Sequence, residues 1–365
     1  MGGTISIVVF VLVVASRLIV PLWIPRFPLP AIILAMVLDG IDGGLLERFT
    51  AMSADGYQSF DKALDIYYLT IAYLSTIRNW VNPAAVRIAM FLFYYRLAGV
   101  LLFEIFESRT LLFIFANTFE YFFIAYELAR LRWDMNRVSR TILLAGAAAI
   151  WIVIKLPQEY WIHIAQRDVS DTLAANPVLI PILAGVTALI LGAGYWIVTR
   201  KMPPADHAPS FAAGDGIQFS TMKNALLRYR SLSWRNQGLV EKVVLIALIS
   251  ANFSMMLPYT TLSTLQIAIG VAVIVILNTA VSEILTRRGL LSFHDIRHFA
   301  SMVGINMALA AIFLAMLPEP APDDSLRLSN MLLFFFLVSL LVTLFDRFRA
   351  IAIMRDEAEH SGTLP

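Results

Sequence analysis

The stretch LSNMLLFFFLVSLLVTLF, Leu328–Phe345, runs for eighteen residues without a charge. As a helix rising 1.5 Å per residue it reaches about 27 Å, close to the hydrocarbon thickness of a bilayer. The pattern recurs along the chain. Apolar runs lie near 4–23, 27–46, 62–80, 84–104, 109–129, 139–156, 177–199, 239–257, 263–285, 299–317 and 328–346. Most reach the roughly 18–20 residues that a span requires. Across 365 residues, 59% are hydrophobic and 15% charged, with a mean hydropathy of +0.74. A water-soluble chain of this length needs more charge to cover its surface, whereas lipid accepts apolar side chains facing outward. The expected fold is all-α, a polytopic transmembrane helical bundle of about 10–11 membrane segments.

The second run is the weakest, because only Pro28–Leu38 is cleanly apolar before Asp39. The first lacks a charged start and a small-residue cleavage site, so it reads as a retained helix. There is no cysteine, which excludes disulfides and thiolate metal sites. The basic residues sit in short stretches between apolar runs and read as topology signals, not as a nucleic-acid surface. They gather at Arg130–Arg140, at 200–242, at Arg287–Arg297 and at Arg347–Arg355, while 157–176 and 318–327 are acidic. This bias places the C-terminus in the cytoplasm, with the chain in a plasma or inner membrane.

Four regions follow. Residues 1–199 form an N-terminal transmembrane region; 200–238 form a linker with Pro203, Pro204, Pro209, Gly214 and Gly216; 239–346 hold four further segments; 347–365 form a cytoplasmic tail. The linker's second part, Phe219–Trp234, mixes apolar and basic residues in a way that suits either an interfacial helix or a solvated loop.

The chemistry is concentrated between residues 39 and 65. The second run ends LDGIDGG, Leu38–Gly44, and the third begins FDKALD, Phe60–Asp65. Asp39 and Asp42 are three apart and Asp61 and Asp65 four apart, so each pair projects from one helix face. Singly, each reads as a helix-end carboxylate at the water boundary. Together they repel unless a cation intervenes, and hard oxygen ligands suit Mg2+ or Mn2+. Gly40, Gly43 and Gly44 leave room for a ligand or backbone to approach.

This arrangement resembles the signature of the CDP-alcohol phosphotransferase family, D-x2-D-G-x2-A-R-x8-G-x3-D-x3-D. Asp39, Asp42 and Gly43 match its opening; with one residue inserted, Arg48, Asp61 and Asp65 fall in register, while Glu47 replaces the Ala and Gly56 is one position out. The resemblance implies metal ligation by Asp39, Asp42, Asp61 and Asp65, substrate contact by Gly43 and Arg48, and Asp65 as the base for an attacking hydroxyl. It also implies a nucleotide-linked or lipid-linked substrate in the membrane. If the third, fourth and fifth runs all cross, however, the cluster lies opposite the basic 130–140 connection and faces outward. Integral glycosyltransferases that use polyprenyl-phosphate sugars share that placement, and only that.

The rival classes are a small-molecule or ion transporter and a non-catalytic subunit of a membrane complex. Arg17, Arg96, Glu120, Glu127, Lys155 and Glu283 lie within or at the ends of apolar runs, where a charge costs roughly 2.5–3.5 kcal/mol on insertion scales. Arg96 and Glu120 are a candidate intramembrane ion pair, whereas Arg17, Glu127 and Lys155 are near enough to run ends to snorkel. His163, after Tyr160 and Trp161, reads as part of an interfacial loop, and His294 and His298 as a solvated helix start.

Overall fold

The computed structural model describes residues 2–49, 54–165, 176–200, 203–213, 237–253, 263–287, 300, 303–308 and 324–360. These form helices α1 (Gly2–Ile19), α2 (Pro28–Phe49), α3 (Ala54–Asn79), α4 (Pro83–Phe106), α5 (Arg109–Ile114), α6 (Thr118–Arg130), α7 (Arg140–Ile164), α8 (Leu179–Arg200), α9 (Gln237–Phe253), α10 (Thr264–Arg287) and α11 (Asp324–His360), with no strand among the described residues. The fold is all-α.

Local chemistry sets the helix starts. Pro28 and Pro83 occupy the first position of α2 and α4, where a missing N–H costs nothing. The Asn82 side chain accepts from the Ala84 and Ala85 amides at 3.0 and 3.3 Å. Ser263 and Gln266 cap α10 reciprocally, each side chain accepting from the other's amide.

Large apolar side chains lie on the surface, and several charged ones are buried within a mostly apolar core. Leu12, Phe91, Val153 and Leu189 are exposed, while Arg17, Asp42, Lys155, Glu159 and Lys242 are buried. Hydrocarbon as solvent accounts for this inversion. Among the described residues five helices are long and apolar enough to cross a membrane: Pro28–Leu46, Pro83–Phe103, Arg109–Arg130, Arg140–Ile164 and Met331–Ile353; Val8–Trp23 and Thr264–Ala280 are shorter apolar helices. The run at 62–80 is of another kind, since residues 66–77 of α3 are buried on every face. Its polar groups are satisfied locally: Thr70 and Thr76 donate to carbonyls of their own helix, and Ser75 accepts from Asn79.

The chain divides into two compact units, Met1–Phe93 with Phe211–Pro365, and Tyr94–Ser210. These boundaries are drawn differently from the sequence regions, because the first helices and the last share a unit. In the first unit α1, α2, α9 and α11 pack around α3. Tyr73 donates to Glu241 at 3.1 Å, Glu241 pairs with Arg349 at 3.2 Å, and Lys242 pairs with Asp346 at 2.9 Å. Arg355 donates to the Arg78 carbonyl at 3.3 Å, so the C-terminal ends of α3 and α11 lie level. The tail expected from residue 347 is helical as far as His360, with Phe348, Ala350 and Ala352 continuing the packed stripe.

In the second unit the Arg109–Arg130 span is broken between α5 and α6, and α4 stitches the break. Tyr95 donates to the Ile114 carbonyl at 2.8 Å and Arg96 to that of Phe115 at 3.3 Å. α7 runs straight through Pro157, where the sequence suggested an end at 156 and a loop. Proline clashes with the preceding turn of an α-helix; here the backbone widens to π-helical winding over Ile150–Lys155 and Tyr160–Ile164 and the helix continues. His163 therefore sits on a helix.

A Cβ added at Gly99 would lie 2.0 Å from the Phe115 Cβ, whereas one at Gly146 meets nothing within 4 Å. Gly99→Ala is expected to cost about 1–3 kcal/mol by overpacking, and Gly146→Ala to be neutral or stabilising. Thermal unfolding of the two variants in detergent checks both.

Candidate metal centre

α2 carries Asp39 and Asp42, α3 carries Asp61 and Asp65, and the packing of α1, α2 and α3 against one another brings all four carboxylates to one place. At that place lies the guanidinium of Arg17 from α1. Its Nη1 donates to Asp42 and Asp61, and its Nη2 to Asp39 and, at 2.6 Å, to Asp65. Tyr67, half a turn beyond Asp65, donates to the Leu18 carbonyl at 2.9 Å and so fixes α1 beside α3 next to Arg17.

The centre has an inside and an outside. The Arg17 and Asp42 side chains are 3% and 5% exposed, whereas those of Asp39, Asp61 and Asp65 are 32%, 38% and 37% exposed. The three outer carboxylates offer oxygens that all lie within 4.8 Å of one another. That is an all-oxygen donor set, open on one side, and it fits a hard divalent cation such as Mg2+ or Mn2+. Asp42 also accepts from the Gly43 amide, which ties it inward.

Among the described side chains one guanidinium lies on the four carboxylates, and a single positive charge does not neutralise four. The residual negative charge is drawn together in a partly desolvated site, where like charges interact more strongly than in water. A divalent ion or protons on the carboxylates relieve it.

The sequence points to the four aspartates that the helices bring together, whereas Arg17 reads there as a residue able to snorkel. Its nearest acidic partner is Asp39, in the next helix, so neither local spacing nor periodicity points to it. The signal was compositional: a lone Arg in the first apolar run with no acid within one turn. The Arg48 side chain lies outside the described residues, as do His294, His298 and the Glu283 side chain. Gly40, Gly43 and Gly44 face open space, with no protein atom within 4 Å of a Cβ built there. Arg96 and Glu120 belong to the other unit, where Arg96 meets the Phe115 carbonyl and Glu120 accepts from Asn117 at 3.0 Å. No family model matches the chain, and no curated protein or solved structure matches it.

Arg17→Gln removes the one guanidinium that, among the described side chains, lies on the four carboxylates, and it is expected to destabilise the protein by about 3–5 kcal/mol. Millimolar Mg2+ or Mn2+ should restore more stability to this variant than it adds to the wild type. Melting temperatures in detergent, with and without chelator, provide the check.

Proposed function

We propose that the chain is a divalent-cation-dependent membrane transferase acting on a phosphate-linked lipid or alcohol, with the aspartate centre as its active site. The observation that carries this reading is the gathering of four carboxylates at one place, three of them part-exposed with oxygens within 4.8 Å of one another.

Asp39, Asp61 and Asp65 would hold the cation, which when bound supplies neutralisation of phosphate oxygen charge. Asp65, half a turn from the Tyr67 anchor, is assigned as the base. The acceptor hydroxyl oxygen forms a new bond to phosphorus, its proton passes to the Asp65 carboxylate, and the bond from phosphorus to the leaving oxygen breaks. Arg17, held by Asp42, keeps a fixed positive charge behind the carboxylates. The resemblance to CDP-alcohol phosphotransferases supports the carboxylate chemistry over residues 39–65.

The donor's nature turns on depth. Asp61 precedes Arg78 by seventeen residues in one helix, about 26 Å along the axis, and Arg78 is level with Arg355. With the basic C-terminal end in the cytoplasm, as the charge bias indicates, the centre opens toward the opposite leaflet. This favours a donor carried by lipid in that leaflet, such as a polyprenyl-phosphate-linked group, over a soluble nucleotide donor.

Asp61→Asn and Asp65→Asn should lower turnover by at least about 10²-fold, and EDTA should abolish it in the wild type until Mg2+ or Mn2+ is returned. Parallel assays with a polyprenyl-phosphate sugar and with CDP-diacylglycerol identify the donor. Labelling of Gly56→Cys in this cysteine-free chain reports which side the centre faces. Wild-type turnover in Asp65→Asn would defeat the proposal.

A further inference from the structure

The second unit holds ionisable groups that the proposed transferase does not use. α6 and α7 are antiparallel neighbours: α5 packs on the Leu156–Ile164 end of α7, and α6 packs on its Arg140–Lys155 part. Along their shared side, His163 Nε2 lies 3.0 Å from Glu159 Oε2, and Glu159 Oε1 lies 3.6 Å from Lys155 Nζ. Lys155 donates to Gln158 at 3.2 Å and stands 4.3 Å over the Tyr121 ring. Glu120 of α6 and Arg96 of α4 are within electrostatic reach of Lys155. Two turns further along the same face of α6 is Glu127, buried and paired with Arg130 at 2.8 Å. Ionisable groups therefore recur from the His163 end of the paired spans to the Arg130 end.

Helix cohesion alone accounts for matched pairs, but two polar atoms here are unmatched. Arg96 Nε, a donor, and Asn117 Oδ1, an acceptor, are buried with no hydrogen-bond partner, and Asn117 is only 8% exposed. Both belong to the break between α5 and α6, where Asn117 makes no side-chain cap for α6. Interrupted helices at membrane depth are tolerated where protein encloses them or where they line water. A buried donor and a buried acceptor left open at such a break are the conditions for a bound water.

We propose that this unit carries a hydrated proton path along the facing sides of α6 and α7, from His163 through Glu159 and Glu120 to Glu127. Each step moves one proton and no electrons. A His163 imidazolium gives its proton to the Glu159 carboxylate; the carboxyl passes it to water at the break, and Glu120 and then Glu127 accept it through water. The groups near Glu120 include Asn117 at the break, Tyr121 from α6, Arg96 from α4, and Lys155 with its partner Glu159 from α7, so that two cations lie beside the carboxylates. The path does not depend on the metal centre.

The full chain in liposomes containing a pH-sensitive dye, driven by a potassium diffusion potential with valinomycin, should acidify or alkalinise the lumen at least tenfold faster than protein-free liposomes. Glu120→Gln and Glu159→Gln should return the rate to that background, and His163→Ala, at the more exposed end, should reduce it several-fold. Gly146→Ala and EDTA should leave it unchanged, and EDTA insensitivity separates the flux from transferase activity. A wild-type rate equal to background overturns the proposal whatever the variants do. So does a wild-type rate in both Gln variants.

Discussion

A guanidinium inside hydrocarbon must find its counter-charge within the protein, and for Arg17 that requirement organises the first unit. Leaving the charge unpaired would cost several kcal/mol, so α1 is held where α2 and α3 can present carboxylates to it. The carboxylates in turn must not face lipid. α3 answers this by lying at the centre of its unit, clad by α1, α2, α9 and α11. The same rule recurs at Lys242 with Asp346 and at Glu241 with Arg349 and Tyr73, which join α9, α11 and α3. Packing between apolar faces gains little in a solvent that is itself apolar, so polar contacts of this kind do much to specify which helix lies beside which.

Helical class and membrane residence were legible in the sequence because they rest on length and hydropathy alone. The aspartates were legible because their spacings of three and four residues are helical. Arg17 was not, since its partners lie in other helices and a lone Arg near a run end has an innocent explanation in snorkelling. α3 looked like another span; its inward position is hinted only by Thr70, Ser75 and Thr76, residues that lipid-facing helices have less reason to carry. The break between Phe115 and Asn117 has no proline or glycine of its own. It depends on Gly99 of α4, which makes space for Phe115, and on Tyr95 and Arg96, which satisfy its carbonyls. Pro157 misled in the other direction, since the ordinary inference from an internal proline is a helix end, and π-helical winding evades it.

The division of the aspartate centre into an inner pair and an outer trio bears on how it would handle a cation. Arg17 donates to all four carboxylates, yet they are not equally placed. Arg17 and Asp42 are shut in together, and Asp39, Asp61 and Asp65 share the opening. The outer trio is the part of the centre open to a cation, and Arg17 with Asp42 closes it from behind. Arg17 then has a further use: held by Asp42 behind the carboxylates, it limits their mutual repulsion before any cation or substrate is present.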